Sequence, residues 1–154
     1  MKIVDLNSDG KLLGTATKLH TAFAQLQELI SLLNEKRLRD PIMQKINTEV
    51  TEINASQLAG NSLHKLIKHK QAKIIKLVEK ELKIVPIDYY KNMWSVLGMT
   101  LFGLPIGAAI GVGTGNIGLL AVGLPFGLGL GYAVGMSMDK KAAADGRQLA
   151  ITLK

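Results

Sequence analysis

The chain has 154 residues, no cysteine and a formal net charge of +7. That length holds one domain, or a small domain with a membrane segment, and the missing cysteine excludes a disulfide framework or a thiolate metal site. The charge is concentrated: residues 64–83 hold seven lysines and two histidines against two glutamates, whereas the 47 residues between Lys91 and Asp139 carry none.

The opening MKIVDLNSDG carries acids early and has no apolar stretch or small-residue cleavage site, so a cleaved secretory signal is not expected. Within it, DLNSDG imitates the first half of a calcium loop, with Asp5, Asn7, Asp9 and Gly10 in place. The twelfth position, which needs a bidentate glutamate, is Ala16, and no entering helix fits ahead of Asp5. The stretch instead reads as a turn between short strands KIVDL and KLLG, with the C-terminal LAITLK as a third strand.

Leu19, Phe23, Leu26, Ile30 and Leu33 then alternate four and three apart, an a/d seam that predicts a helix over about 15–37. Asp40 as N-cap and Pro41 at the first helical position start a second helix, about 41–59, whose apolar residues are Ile42, Ile46, Val50 and Ile53. Gly60 reads as its stop and Asn61 or Ser62 as the cap of a third helix, about 62–84, which ends before Pro86. Three amphipathic helices joined by short breaks make a small bundle, or an assembly of helices from several chains in which the seam is an intersubunit coiled coil.

The third helix is basic. Lys65, Lys68, His69, Lys73, Lys76, Lys80 and Lys83 recur at helical steps opposite Leu63, Ile67, Ile74, Leu77 and Val78. A basic amphipathic helix just ahead of an apolar segment suits anionic headgroups, at about 1 kcal/mol per lysine near the surface. A solvated bundle face is the plainer alternative. Nucleic acid ranks last, because arginine and interleaved aromatic residues are absent from this stretch.

A hydrocarbon core about 30 Å thick takes roughly 20 apolar residues in helix, so the uncharged run holds two spans. They fall near 94–112 and 119–138, joined around GTGNIG. Tyr89, Tyr90 and Trp94 sit where amphipathic rings prefer the headgroup layer, and residues 87–93 read as interfacial. Lys91 precedes the first span and Lys140 and Lys141 follow the second, so both termini are expected in the cytoplasm. GTGNIG, residues 113–118, has the spacing of a dinucleotide-binding loop, with Asp139 as the ribose carboxylate. No strand precedes it, no polar helix face follows it, and no second βαβ unit fits after it. The spacing is that of a glycine-rich turn.

Glycines recur at every fourth position in both spans: Gly103, Gly107, Gly111 and Gly115, then Gly123, Gly127, Gly131 and Gly135. GLPIG at 103–107 and GLPFG at 123–127 make this an internal repeat. Each stripe is a groove of bare backbone that lets helices approach closely in lipid, within one hairpin or between chains. Gly113, Gly118 and Gly129 thin further faces, and on that ground homo-oligomers are expected. Pro105 and Pro125 each remove a backbone donor and are candidate hinges.

Residues 92–148 resemble the bacterial glycine-zipper membrane proteins, small two-span proteins, over roughly the last third of the chain. The resemblance implies close-packed membrane helices. Because similar zippers occur in membrane proteins that oligomerise into channels, it also raises a pore.

Nothing catalytic emerges: His64 and His69 are five apart, off the helical metal-pair spacing, and His20 is isolated. No metal or cofactor is expected and the chain does not read as an enzyme. The expected architecture is an all-α membrane protein. A cytosolic helical bundle (1–86) precedes the interfacial segment, a transmembrane hairpin (94–138) and a cytosolic tail (139–154), with a short β-hairpin at the N-terminus. The expected setting is a bacterial cytoplasmic membrane with anionic lipids. The leading function is a homo-oligomeric pore or toxin-like membrane-perturbing effector. The alternative is a non-conducting anchor or scaffold whose helical domain recruits a cytosolic protein.

Overall fold

The a/d seam and its two successors wind into three helices in a computed structural model that describes residues 2–7, 17–36 and 38–153. They are α1 (Thr17–Glu35), α2 (Asp40–Ala55) and α3 (Gly60–Leu82). Leu19, Phe23, Leu26, Ile30 and Leu33 of α1, Ile42, Ile46, Val50 and Ile53 of α2, and Leu63, Ile67, Ile74 and Val78 of α3 form one apolar core. The seam is therefore filled from within the chain, and α3 packs against both α1 and α2. Boundaries shift slightly from the sequence reading. Asp40 is already helical and Arg39 stands at the N-cap position. Gly60, at φ +56°, opens α3 and does not close α2, which ends where Ser56 turns extended.

The chain divides into two units, Met1–Val85 with Leu149–Lys154, and Pro86–Gln148. The C-terminal residues thus belong to the helical unit and not to a separate tail, with Leu149 and Ile151 in its core. Strand β2 (Gln148–Thr152) pairs with β1 (Val85–Ile87). This corrects the expected place of the C-terminal strand: LAITLK does form one, but its partner is Val85–Ile87. The KLLG strand and most of the calcium-like loop lie outside the described residues.

Residues 2–7 are extended without belonging to a sheet, and side chains hold them. The Ile3 N–H donates to Asn34 Oδ1 of α1 at 2.9 Å. On α2, Asn47 accepts from the Val4 N–H at 2.8 Å and donates to the Lys2 carbonyl at 3.4 Å. Asn54 does the same one step on, accepting from the Asn7 N–H at 2.8 Å and donating to the Asp5 carbonyl at 3.1 Å. The spacing fits geometrically. Seven residues of helix advance about 10.5 Å, and three residues of polyproline-like extended chain advance about 9 Å and return to the same face. Ile3 and Leu6, also three apart, point into the core.

The second unit is a helical hairpin. Its first arm is α4 (Tyr89–Gly98), a π-helical turn (Met99–Gly103) and α5 (Leu104–Thr114); its second is a 3₁₀ segment (Ile117–Val122) and α6 (Gly123–Ala144). As continuous helices the arms run Tyr89–Thr114 and Ile117–Ala144, each long and apolar enough to cross a membrane. Both overrun the spans read from sequence, because Tyr89–Met93 and Asp139–Ala144 are helical too. Gly115, at φ +67°, caps α5, and the Asn116 side chain caps the 3₁₀ segment by accepting from the Gly118 N–H at 3.0 Å. GTGNIG is thus a helix-to-helix turn.

Candidate functional site

The hairpin is built on bare backbone. A Cβ placed on Gly123 would run into the Gly103 carbonyl and lie 2.6 Å from the Gly107 Cα. One on Gly127 would strike Gly103 and Gly98, and one on Gly107 the Leu120 carbonyl. Gly131 lies against the Trp94 carbonyl and Gly135 against Tyr90 and Lys91. The two GLP motifs of the repeat therefore face each other across an antiparallel pair. Gly111 makes only ordinary contact with the turn, while Gly113, Gly115 and Gly129 face open space. Gly118 meets only its neighbour's Asn116 side chain.

Gly98 is the partner the every-fourth pattern missed. It sits five residues before Gly103, out of phase with an α-helical stripe, yet it packs against Gly127 and Gly131. The π-helical turn absorbs the extra residue: the Leu104 N–H bonds to the Met99 carbonyl, five residues back. Pro105 explains the turn's position. Its missing N–H and its ring disfavour an ordinary bond to Leu101, and it occupies the first turn of α5. Pro125 lies likewise in the first turn of α6.

Asp139, the sequence decoy, closes the open end of the hairpin. Its carboxylate, only 7% exposed, accepts the Tyr90 N–H at 3.1 Å and the Lys91 N–H at 2.9 Å. These are orphan donors of α4's first turn, so α6 caps α4 and places a negative charge on its dipole. Asp88, the residue at the N-cap position, has φ +62° and makes no side-chain cap; it pairs with Lys91 at 2.7 Å. Trp94 lies within α4, half-buried, with its indole N–H buried and without a hydrogen-bond partner among the described residues.

On α3 the lysines divide into two kinds. Lys65, Lys73, Lys76, Lys80 and Lys83 are exposed. Lys68 is half-buried, donates to Gln25 Oε1 at 2.9 Å, and is pushed below its ordinary pKa by burial. Lys45, Lys73, Lys76 and Lys80 line a cleft of about 280 Å³ together with Glu49 and Leu77. Lys70, absent from the sequence reading of the basic face, lies on the apolar face between Ile67 and Ile74. It bonds Glu49 at 2.7 Å and also Glu52, while Lys73 pairs with Glu49 from outside. Burial pushes the Glu49 carboxyl up, but the bonds and charges of Lys70 and Lys73 outweigh it and hold it below the ordinary 4.5. Those to Glu49 and Glu52 hold the Lys70 ammonium above its ordinary value against burial. Its three- and four-residue distances from Ile67 and Ile74 were the available signal.

Among the described residues no three His, Asp or Glu side chains group to hold a metal. What the arrangement offers is surface: an apolar hairpin, an exposed lysine face, and a helical unit that binds an extended strand. No protein-family model, curated protein or solved structure matches the chain.

Proposed function

We propose that the chain is a non-conducting membrane anchor whose helical unit recruits a protein partner. The hairpin would cross the bilayer, with both termini on the cytoplasmic side, as the flanking lysines suggest. The apolar surface supports a lipid setting. Val96, Val112, Ile117 and Phe126 are 60% or more exposed, and only about a fifth of each arm's most apolar window is buried. Exposed lysines of α3 then meet anionic headgroups, adding to the anchor's hold.

The observation that carries the anchor reading over a pore is the use of the glycines. Those at 98, 103, 107, 123, 127, 131 and 135 are filled by the opposite arm of the same hairpin, so the stripe leaves no groove for a second chain. A pore or membrane-perturbing assembly is the second reading. It is favoured by Gly113 and Gly129, which face away from the partner arm and would let other hairpins approach.

Purified protein added to anionic-lipid vesicles loaded with dye separates the two. The anchor reading expects co-flotation with the vesicles and retained dye. Release by the parent chain, abolished by Gly113→Ile with Gly129→Ile while flotation persists, would replace the anchor with an assembled pore.

A further inference from the structure

We propose that the face of α1 and α2 bearing Asn34, Asn47 and Asn54 is a docking groove for an extended segment of a partner protein with two apolar residues three apart. Residues 2–7 occupy it in cis. Five bonds from the asparagines go to main-chain groups of the segment, four of them from one helix at a seven-residue interval. Because that interval matches one three-residue turn of polyproline-like chain, the pair reads the backbone in register whatever the side chains are. Specificity comes from the two buried anchors, Ile3 and Leu6.

Lys2, Val4, Asp5 and Asn7 all keep exposed side chains. Beside Leu6 lies a cleft of about 350 Å³ with a mostly polar lining, Lys2 and Asp5 of the segment together with Gln27, Ser31, Asn34 and Glu35 of α1. A partner segment of the same pattern makes the same five bonds and fills the same two apolar positions. The cis segment then acts as a competitor that lowers the apparent affinity until it is displaced.

The inference names the partner class for the anchor reading, but the groove belongs to the helical unit alone. Its test runs in detergent micelles, where failure of vesicle anchoring has no influence. Full-length chain carrying Ile3→Asp and Leu6→Asp, which expels its own segment, is titrated into a fluorescent hexapeptide of residues 2–7. Saturable binding is expected, tighter than to the parent chain, whose groove is occupied. N-methylation of the peptide at Val4 removes the donor to Asn47 and should weaken binding by about tenfold, the equivalent of one lost hydrogen bond. Val4→Pro in the full chain removes the same donor and keeps both anchors, a second way to loosen the segment if the first variant fails to fold. Absence of binding to a folded variant overturns the proposal, as does equal binding of the methylated peptide. Loss of helicity in both variants overturns it too, because the segment would then be part of the core and not a ligand.

Discussion

Gly127 and Gly129 lie two residues apart on α6 and face opposite surroundings, which makes them a matched pair. Alanine at Gly129 meets open space and should gain up to about 1 kcal/mol from helix propensity. At Gly127 the same methyl would sit 2.6 Å from the Gly103 Cα and closer still to the Gly98 carbonyl. Ordinary carbon contacts need about 3.5–4.0 Å, so the arms must part by roughly 1 Å locally. Overpacking of this kind costs about 1–3 kcal/mol. The propensity gain is common to both variants and cancels, so they should differ by about 1–3 kcal/mol, with Gly127→Ala the less stable. Trp94, the chain's single tryptophan, has its carbonyl against Gly131 and lies in α4. Its emission during detergent-induced unfolding reads the separation of the arms directly. Equal stability of the two alanine variants would refute backbone contact as the basis of the hairpin.

Three further outcomes follow from the same geometry. Gly98→Ala should destabilise the hairpin as much as Gly127→Ala does, although it lies outside the every-fourth series; a neutral result in the same unfolding assay would mean the π-helical turn does not set the phase. Asp139→Asn keeps one acceptor oxygen and loses the charge, so about 1 kcal/mol should be lost and exchange of the Tyr90 and Lys91 amides should quicken by hydrogen–deuterium exchange. In the helical unit, Glu49 holds its proton less readily when folded, so its contribution to stability is complete above the ordinary 4.5 and is lost as pH falls through the depressed value. The raised Lys70 acts in the opposite sense: its contribution is complete below its ordinary 10.5 and fades as pH rises through the raised value. Urea unfolding across pH should show the acid-side loss in the parent and a flatter profile in Glu49→Gln.

Sequence periodicity carried the helical unit well, because each apolar face is a local pattern: every seam residue of α1 named from spacing is in the core. What it missed depends on elements far apart in the chain. β2 pairs with a strand more than sixty residues earlier, and nothing in LAITLK encodes that partner. Asn47 and Asn54 look like ordinary polar positions on an amphipathic helix until an extended segment lies across them. In the hairpin, the stripe was legible wherever the helix was regular. Gly98 was lost where a π-helical turn inserted a residue, although Pro105 downstream was the visible reason for irregularity. Lys70 was missed because a charged residue on an apolar face appears anomalous until its partners on α2 are known.

Asp139 has a consequence for the order in which the molecule can be completed. The first turn of α4 leaves the ribosome with its Tyr90 and Lys91 donors open, and the carboxylate that accepts them is encoded 49 and 48 residues later. Until that residue arrives, the start of the first apolar arm can only fray or bind water. The final turns of α6 thus act as a completion signal: a chain truncated within the hairpin has an unfinished beginning as well as a missing end.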